Sequence, residues 1–153
     1  MPKQVDREVY RFEKYCGIDR WSSYHYQLRE ILALSPKSVL EVGKGDGVVG
    51  RYLKDNAGIE YRSMDIAEDL HPDIVGDIER IPLADGSVDV AVAFEVLEHI
   101  PFDRFHHGLD ELARIAKDRV IISLPHYGPS LRFNFKIPML GEIKRAWKLP
   151  HHP

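Results

Sequence analysis

The chain has a single cysteine, Cys16, so it cannot form an internal disulfide, and no neighbouring signature marks that thiol as activated; it is read as a packing residue. Long apolar runs are missing too. None approaches the ~20 residues of a membrane span, and the opening stretch Met1 to Glu8 lacks the apolar core of a secretory leader. The expectation is a cytoplasmic protein. There is no excess of positive charge: a net charge of −3 gives no whole-chain reason to expect nucleic acid as a partner. Histidines at metal-binding spacing are absent, since His106-His107, His126 and His151-His152 never present several ligands together, so no metal site is expected. With no G-x-S-x-G elbow, serine-based hydrolysis is set aside as well.

What remains is enough for one ordinary core, with 153 residues, of which 44% are apolar and 29% charged. Three segments are expected: an N-terminal helical arm over 1–35, an α/β domain over 36–125, and a basic, aromatic segment over 126–153. In the arm, Tyr24, Leu28, Ile31 and Leu32 fall at helical spacing before Ser35-Pro36 ends the run. The aromatics Trp21, Tyr24 and Tyr26 exceed what one buried stripe needs, which places some of them against a pocket.

The middle segment is organised around Ser38-Val39-Leu40-Glu41-Val42-Gly43-Lys44-Gly45-Asp46-Gly47, which reads as a short buried strand followed by a tight glycine turn. The run Val48 to Leu53 that follows is helical in spacing. Such a strand-to-helix turn is where open α/β sheets bind ligands. Further strands are read at Ile59–Met64, Asp73–Gly76, Val88–Phe94 and Val120–Leu124, and a helix after Pro101 carries Phe105, Leu109, Leu112 and Ile115 on one face. Strands alternating with helices predict a doubly wound parallel sheet. Asp65, Asp77 and Glu95 then close three successive strands on one edge of that sheet, around the glycine turn.

Asp65, at the end of the second strand, is placed to accept ribose hydroxyls. The turn itself fails the dinucleotide pattern, because position 48 is Val where a third glycine would be needed. Glu41 just ahead of the glycines disfavours a pyrophosphate and suits an ammonium or sulfonium cation. A nicotinamide dehydrogenase is therefore a distant reading.

In these blocks the chain resembles the class I S-adenosylmethionine-dependent methyltransferases, specifically the small group labelled methyltransferase type 11. The resemblance rests on Val39 to Gly47, Met64-Asp65-Ile66, Gly76-Asp77-Ile78 with Ile81 to Asp89, and Glu95-Val96-Leu97-Glu98-His99. It implies a Rossmann-like sheet of order 3-2-1-4-5 and transfer of a methyl group from S-adenosylmethionine to an acceptor by direct displacement, leaving S-adenosylhomocysteine. By the same resemblance, Glu41 and Gly43 would hold the methionine amino group, with Gly45 and Gly47 letting the backbone approach. Asp65 would take the ribose hydroxyls, Ile66 would cover the adenine, Asp77 and Ile78 would meet its amino edge, and Phe94 and Glu95 would border the methionine end. Lys44 departs from the small or apolar residue usual there and is expected to point outward. His99 is the nearest candidate base, although the chemistry requires none.

An acceptor pocket is expected among Tyr24, Tyr26, His99 and His126, for a small-molecule or lipid-like acceptor. Segment 129–153, with Arg132, Lys136, Lys144, Arg145 and Lys148 among Phe133, Phe135 and Trp147, allows peripheral membrane contact. Members of this group carry an antiparallel hairpin after the fifth strand; here no obvious strand pair follows, so it is expected to be missing or replaced, which leaves an edge open to a homodimer. The alternative to an enzyme is a non-catalytic cofactor-binding module.

Overall fold

The computed structural model describes residues 7–125 in full, and 130–137 and 141–148 as backbone strands. Five parallel strands, β1 (Ser38–Val42), β2 (Glu60–Asp65), β3 (Ile74–Val75), β4 (Val88–Phe94) and β5 (Ala116–Ser123), stand in the order β3-β2-β1-β4-β5. This is the Rossmann-like arrangement the resemblance implied.

The strands need cover on both faces, and alternation along β1 divides the core. Leu40 and Val42 pack with Met64, Leu97, Leu112 and Ile115 under helix α4 (Phe102–Ile115). Val39 packs on the opposite face with Ile31, Val49, Leu53, Tyr61 and Val92, under α2 (Ile18–Ala33) and α3 (Val48–Ala57). Pro101 sits just ahead of α4, and Gly58, left-handed at φ 64°, ends α3. The arm begins with a 3-10 turn (Arg7–Tyr10) and the single-turn α1 (Phe12–Tyr15).

The connection from β2 to β3 carries only the 3-10 turn Glu68–Leu70 where a crossover helix would be usual. The segment 81–86 is instead held to α4 by Arg114, whose guanidinium donates to the Ile81 and Leu83 carbonyls and to the Glu111 and Asp85 carboxylates at 2.7–2.9 Å.

Beyond β5 the chain forms strands that the sequence reading did not expect, β6 (Ser130–Ile137) and β7 (Gly141–Lys148), paired antiparallel as a two-stranded sheet of their own. The period-two run Leu131, Phe133, Phe135, Ile137 carries the signal, and the basic residues interleaved with it read as a peripheral-contact segment. The pair is not hydrogen-bonded to β5, so the five-stranded sheet has no hairpin at that edge. Side chains of 126–153 lie outside the described residues, and with them the expected roles of His126 and of 129–153 as a peripheral contact. Among the described residues no helix is long and apolar enough to cross a membrane.

Candidate functional site

The ends of β1, β2 and β4 meet at a crevice lined by Gly43, Gly45, Asp65, Ile66, Phe94, Glu95 and His99, with Ala67, Leu70 and Val96 beside them and Tyr10 and Tyr15 of the arm across the opening. Seven of the residues singled out from the sequence thus come together. The remaining five do not line it.

Gly43 adopts φ 82°, and a Cβ there would lie 2.2 Å from Val96 Cγ2, so glycine is required both by the turn and by Val96 packed onto it. Asp65 Oδ1 accepts from the Ala67 N–H at 2.9 Å, which fixes its carboxylate at the strand end. Glu95 is a non-glycine residue at φ 55°, a strained conformation of the kind that persists where surroundings enforce it. Its N–H donates to the Ser123 carbonyl at 2.9 Å and its carboxylate pairs with Arg20 at 2.7 Å. Arg20 in turn lies over the Tyr15 ring, 4.3 Å from the centroid, and Tyr15 meets Tyr10 edge-on at 4.8 Å. Burial pushes both tyrosine hydroxyls further from ionisation.

Glu41 is placed differently from the expectation of a carboxylate facing the ligand. It points to the α2/α3 side of the sheet, is 4% exposed, and accepts a hydrogen bond from the Tyr61 hydroxyl. Burial pushes its carboxyl up to about 8 against the partial opposition of that hydrogen bond, so near neutral pH it holds its proton in this state. Asp77 accepts from the Glu79 N–H at 3.1 Å beyond the short β3, and Ile78 is buried in the core under α4, so neither lines the crevice. Gly47 starts α3 in the left-handed region, away from the crevice. Lys44 turns away from the crevice, its Nζ donating to the His71 carbonyl at 2.5 Å.

Tyr24 and Tyr26 do not line the crevice. Tyr24 belongs to the buried stripe Tyr24, Gln27, Ile31 of α2, and its hydroxyl donates to Asp46 Oδ2 at 2.6 Å, tying α2 to the glycine turn; Tyr26, two residues on, faces outward. Asp46 Oδ1 also accepts from the Val48 N–H, at the first residue of α3, at 3.2 Å. The aromatic wall comes instead from Tyr10 and Tyr15, which no periodicity announced. Arg20 did leave a signal: it extends the Tyr24, Gln27, Ile31 stripe by one helical step, and a cation in that stripe marks a site. Glu98, beside His99, has one buried carboxylate oxygen, Oε2, without a hydrogen-bond partner, and burial raises its pKa.

The methyltransferase-domain family model matches residues 40–124, more than half of the chain. The chain belongs to that family. No curated protein matches it. Among solved structures it is similar to a Pyrococcus horikoshii protein, with 18% identity over 78% of this chain and 66% of that one and a TM-score of 0.59. It is also similar to an S-adenosylmethionine-dependent methyltransferase from Aquifex aeolicus, with 19% identity, 82% and 79% coverage and a TM-score of 0.57. A chain from the Haloferax volcanii complex that contains the Trm112 methyltransferase activator matches at 25% identity, 69% and 54% coverage and a TM-score of 0.50. At 18–19% identity the first two carry the fold. The chain spans 50% to 66% of the length of several matching structures.

Proposed function

We propose that this methyltransferase domain binds S-adenosylmethionine in the crevice and transfers its methyl group to a small-molecule or lipid-like acceptor. The observation that carries this reading is the charge pattern of the crevice, with Asp65 and Glu95 as carboxylates on its wall and Arg20 as the cation paired with Glu95. That set complements a ligand bearing hydroxyls, two cationic centres and a carboxylate. When bound, the cofactor supplies a methyl group already activated on a sulfonium sulfur.

The protein's own tasks are then alignment and exclusion of water. Asp65 accepts ribose hydroxyls, Glu95 faces the amino group, and Arg20 is free to meet the ligand carboxylate if Glu95 releases it. Glu41, placed behind the glycine turn, acts on the ligand only through the turn or after ionising. Where the acceptor carries a proton, His99, exposed and on the crevice wall, is the candidate base; Glu98 beside it does not line the crevice. The crevice encloses about 130 Å³, below the roughly 300 Å³ of a usual ligand pocket. Tyr10 and Tyr15 narrow its opening, so an arm that moves aside would admit the cofactor.

Calorimetry with S-adenosylmethionine and S-adenosylhomocysteine tests the reading. Micromolar binding is expected, weakened about 10- to 100-fold in Asp65→Ala, the scale of hydrogen bonds to a charged group. No binding of either ligand ends it. The narrowness of the crevice, with Tyr10 and Tyr15 across its opening, also favours a second reading, a module that holds the cofactor without turnover. Release of S-adenosylhomocysteine during an acceptor screen separates the two.

A further inference from the structure

Across the glycine turn from the crevice lies a larger cavity of about 580 Å³. Its origin is topological. Parallel neighbours such as β2 and β3 are usually linked through a helix that covers the sheet, and here the link is short, so the face of β2 beside α3 stays open with Tyr61 and Ser63 on its wall. Cations surround it: Arg51 and Lys54 from α3, Lys44 from the glycine turn, and Arg7 and Arg11 from the arm, with His71 of the loop after β2 beside them.

The carboxylates of this cavity are already engaged. Glu8 pairs with Arg11 at 2.7 Å, and Asp46 accepts the Tyr24 hydroxyl. Asp73 accepts from the Ser63 hydroxyl and N–H at 2.7 Å and lies 3.7 Å from Lys54. Arg7, Lys44 and Arg51 are in no ion pair with a carboxylate among the described residues. At the α3 N-terminus the Val48 N–H is already taken by Asp46, and the site does not rest on that helix end. What is left is a concave site whose positive side chains come from two separate parts of the chain.

We propose that this cavity binds a phosphorylated small molecule carrying at least two negative charges, held between α3 and the N-terminal arm. Two arginines on the arm and one on α3 offer the forked donors that suit phosphate oxygens, and the lysines add point charge. A compact anion needs only the cavity, whereas a long polyanion would meet a chain whose overall charge is −3. A bound anion would bridge arm and body and hold the arm down.

Titration of the full chain with inorganic pyrophosphate tests this directly. Saturable binding that weakens with added salt is expected. It should fall at least about tenfold in the double variant Arg51→Ser with Lys54→Ser, because hydrogen bonds to charged groups are among the stronger ones. Both side chains are exposed, and an unchanged unfolding midpoint confirms that the variant folds. Saturating pyrophosphate should also slow tryptic cleavage after Arg7 and Arg11 in the parent chain and not in the variant. Absence of binding at millimolar pyrophosphate, equal affinity in the variant, or unprotected cleavage sites overturns the proposal. Tighter binding of a short single-stranded oligonucleotide than of pyrophosphate overturns it in favour of a nucleic-acid surface. No adenosyl ligand enters the assay, so its outcome is independent of the cofactor reading.

Discussion

Replacing Glu41 by Gln should stabilise the protein at alkaline pH and leave it nearly unchanged in acid. The Tyr61 hydroxyl that donates to Glu41 can donate equally to the Gln carbonyl oxygen, so the substitution removes the titration and keeps the hydrogen bond. Burial raises the folded-state pKa from 4.5 to about 8, so between those values the folded chain binds more protons than the unfolded one. Stability therefore falls as pH rises through that window and levels off above it. At ~1.36 kcal/mol per pH unit the full displacement sets an upper limit of about 5 kcal/mol. Relaxation and water penetration reduce such penalties, so about 3 kcal/mol is expected. For a chain of this size that is roughly 6–12 °C in melting temperature. Thermal or urea unfolding of both chains at pH 5 and pH 9 reads it, and other titrating groups cancel in the difference. A stability difference between the chains that does not change with pH would show that Glu41 ionises with an ordinary pKa, and the account of a buried neutral carboxyl would fall.

Two further outcomes test the packing that carries the site. Gly50→Ala puts a methyl in the first turn of α3, where Ala is normally favoured over Gly by up to ~1 kcal/mol, but here the added Cβ would lie 2.2 Å from Tyr61 Cζ. A loss of about 1–3 kcal/mol in urea unfolding is expected from overpacking, and a gain would refute the contact. Tyr24→Phe removes the hydroxyl that donates to Asp46 at 2.6 Å from a side chain 6% exposed, and should cost about 1.5 kcal/mol; a Phe variant as stable as the parent would mean the bond does not fasten α2 to the glycine turn.

The five strands of the main sheet were legible because each apolar run is local and ends on punctuation, with Gly43 after β1, Gly58 before β2 and Pro125 after β5, while their order came from the family resemblance. The glycine turn with Asp65 and Glu95 was legible for a related reason, since strand ends on one sheet edge meet whatever lies between them. Direction and environment were not. Glu41 is one of five residues in a two-sided strand, and its alternation alone puts it on the α2/α3 face with Val39, yet a carboxylate ahead of glycines was read as facing a ligand. Its neutral state comes from burial, which the hydrogen bond from Tyr61, twenty positions along, partly opposes, and no short-range pattern reports that contact. The same holds for the arm. Tyr10 and Tyr15 come from a segment without periodicity, and Arg20, which lies over Tyr15, pairs with Glu95 from across the fold. Local pattern therefore identifies the floor of this site, while its walls and charge states are set by pairs distant in sequence. Glu41, Tyr61, Arg20 and Glu95 are accordingly where substitution separates a methyltransferase-like fold from a working site.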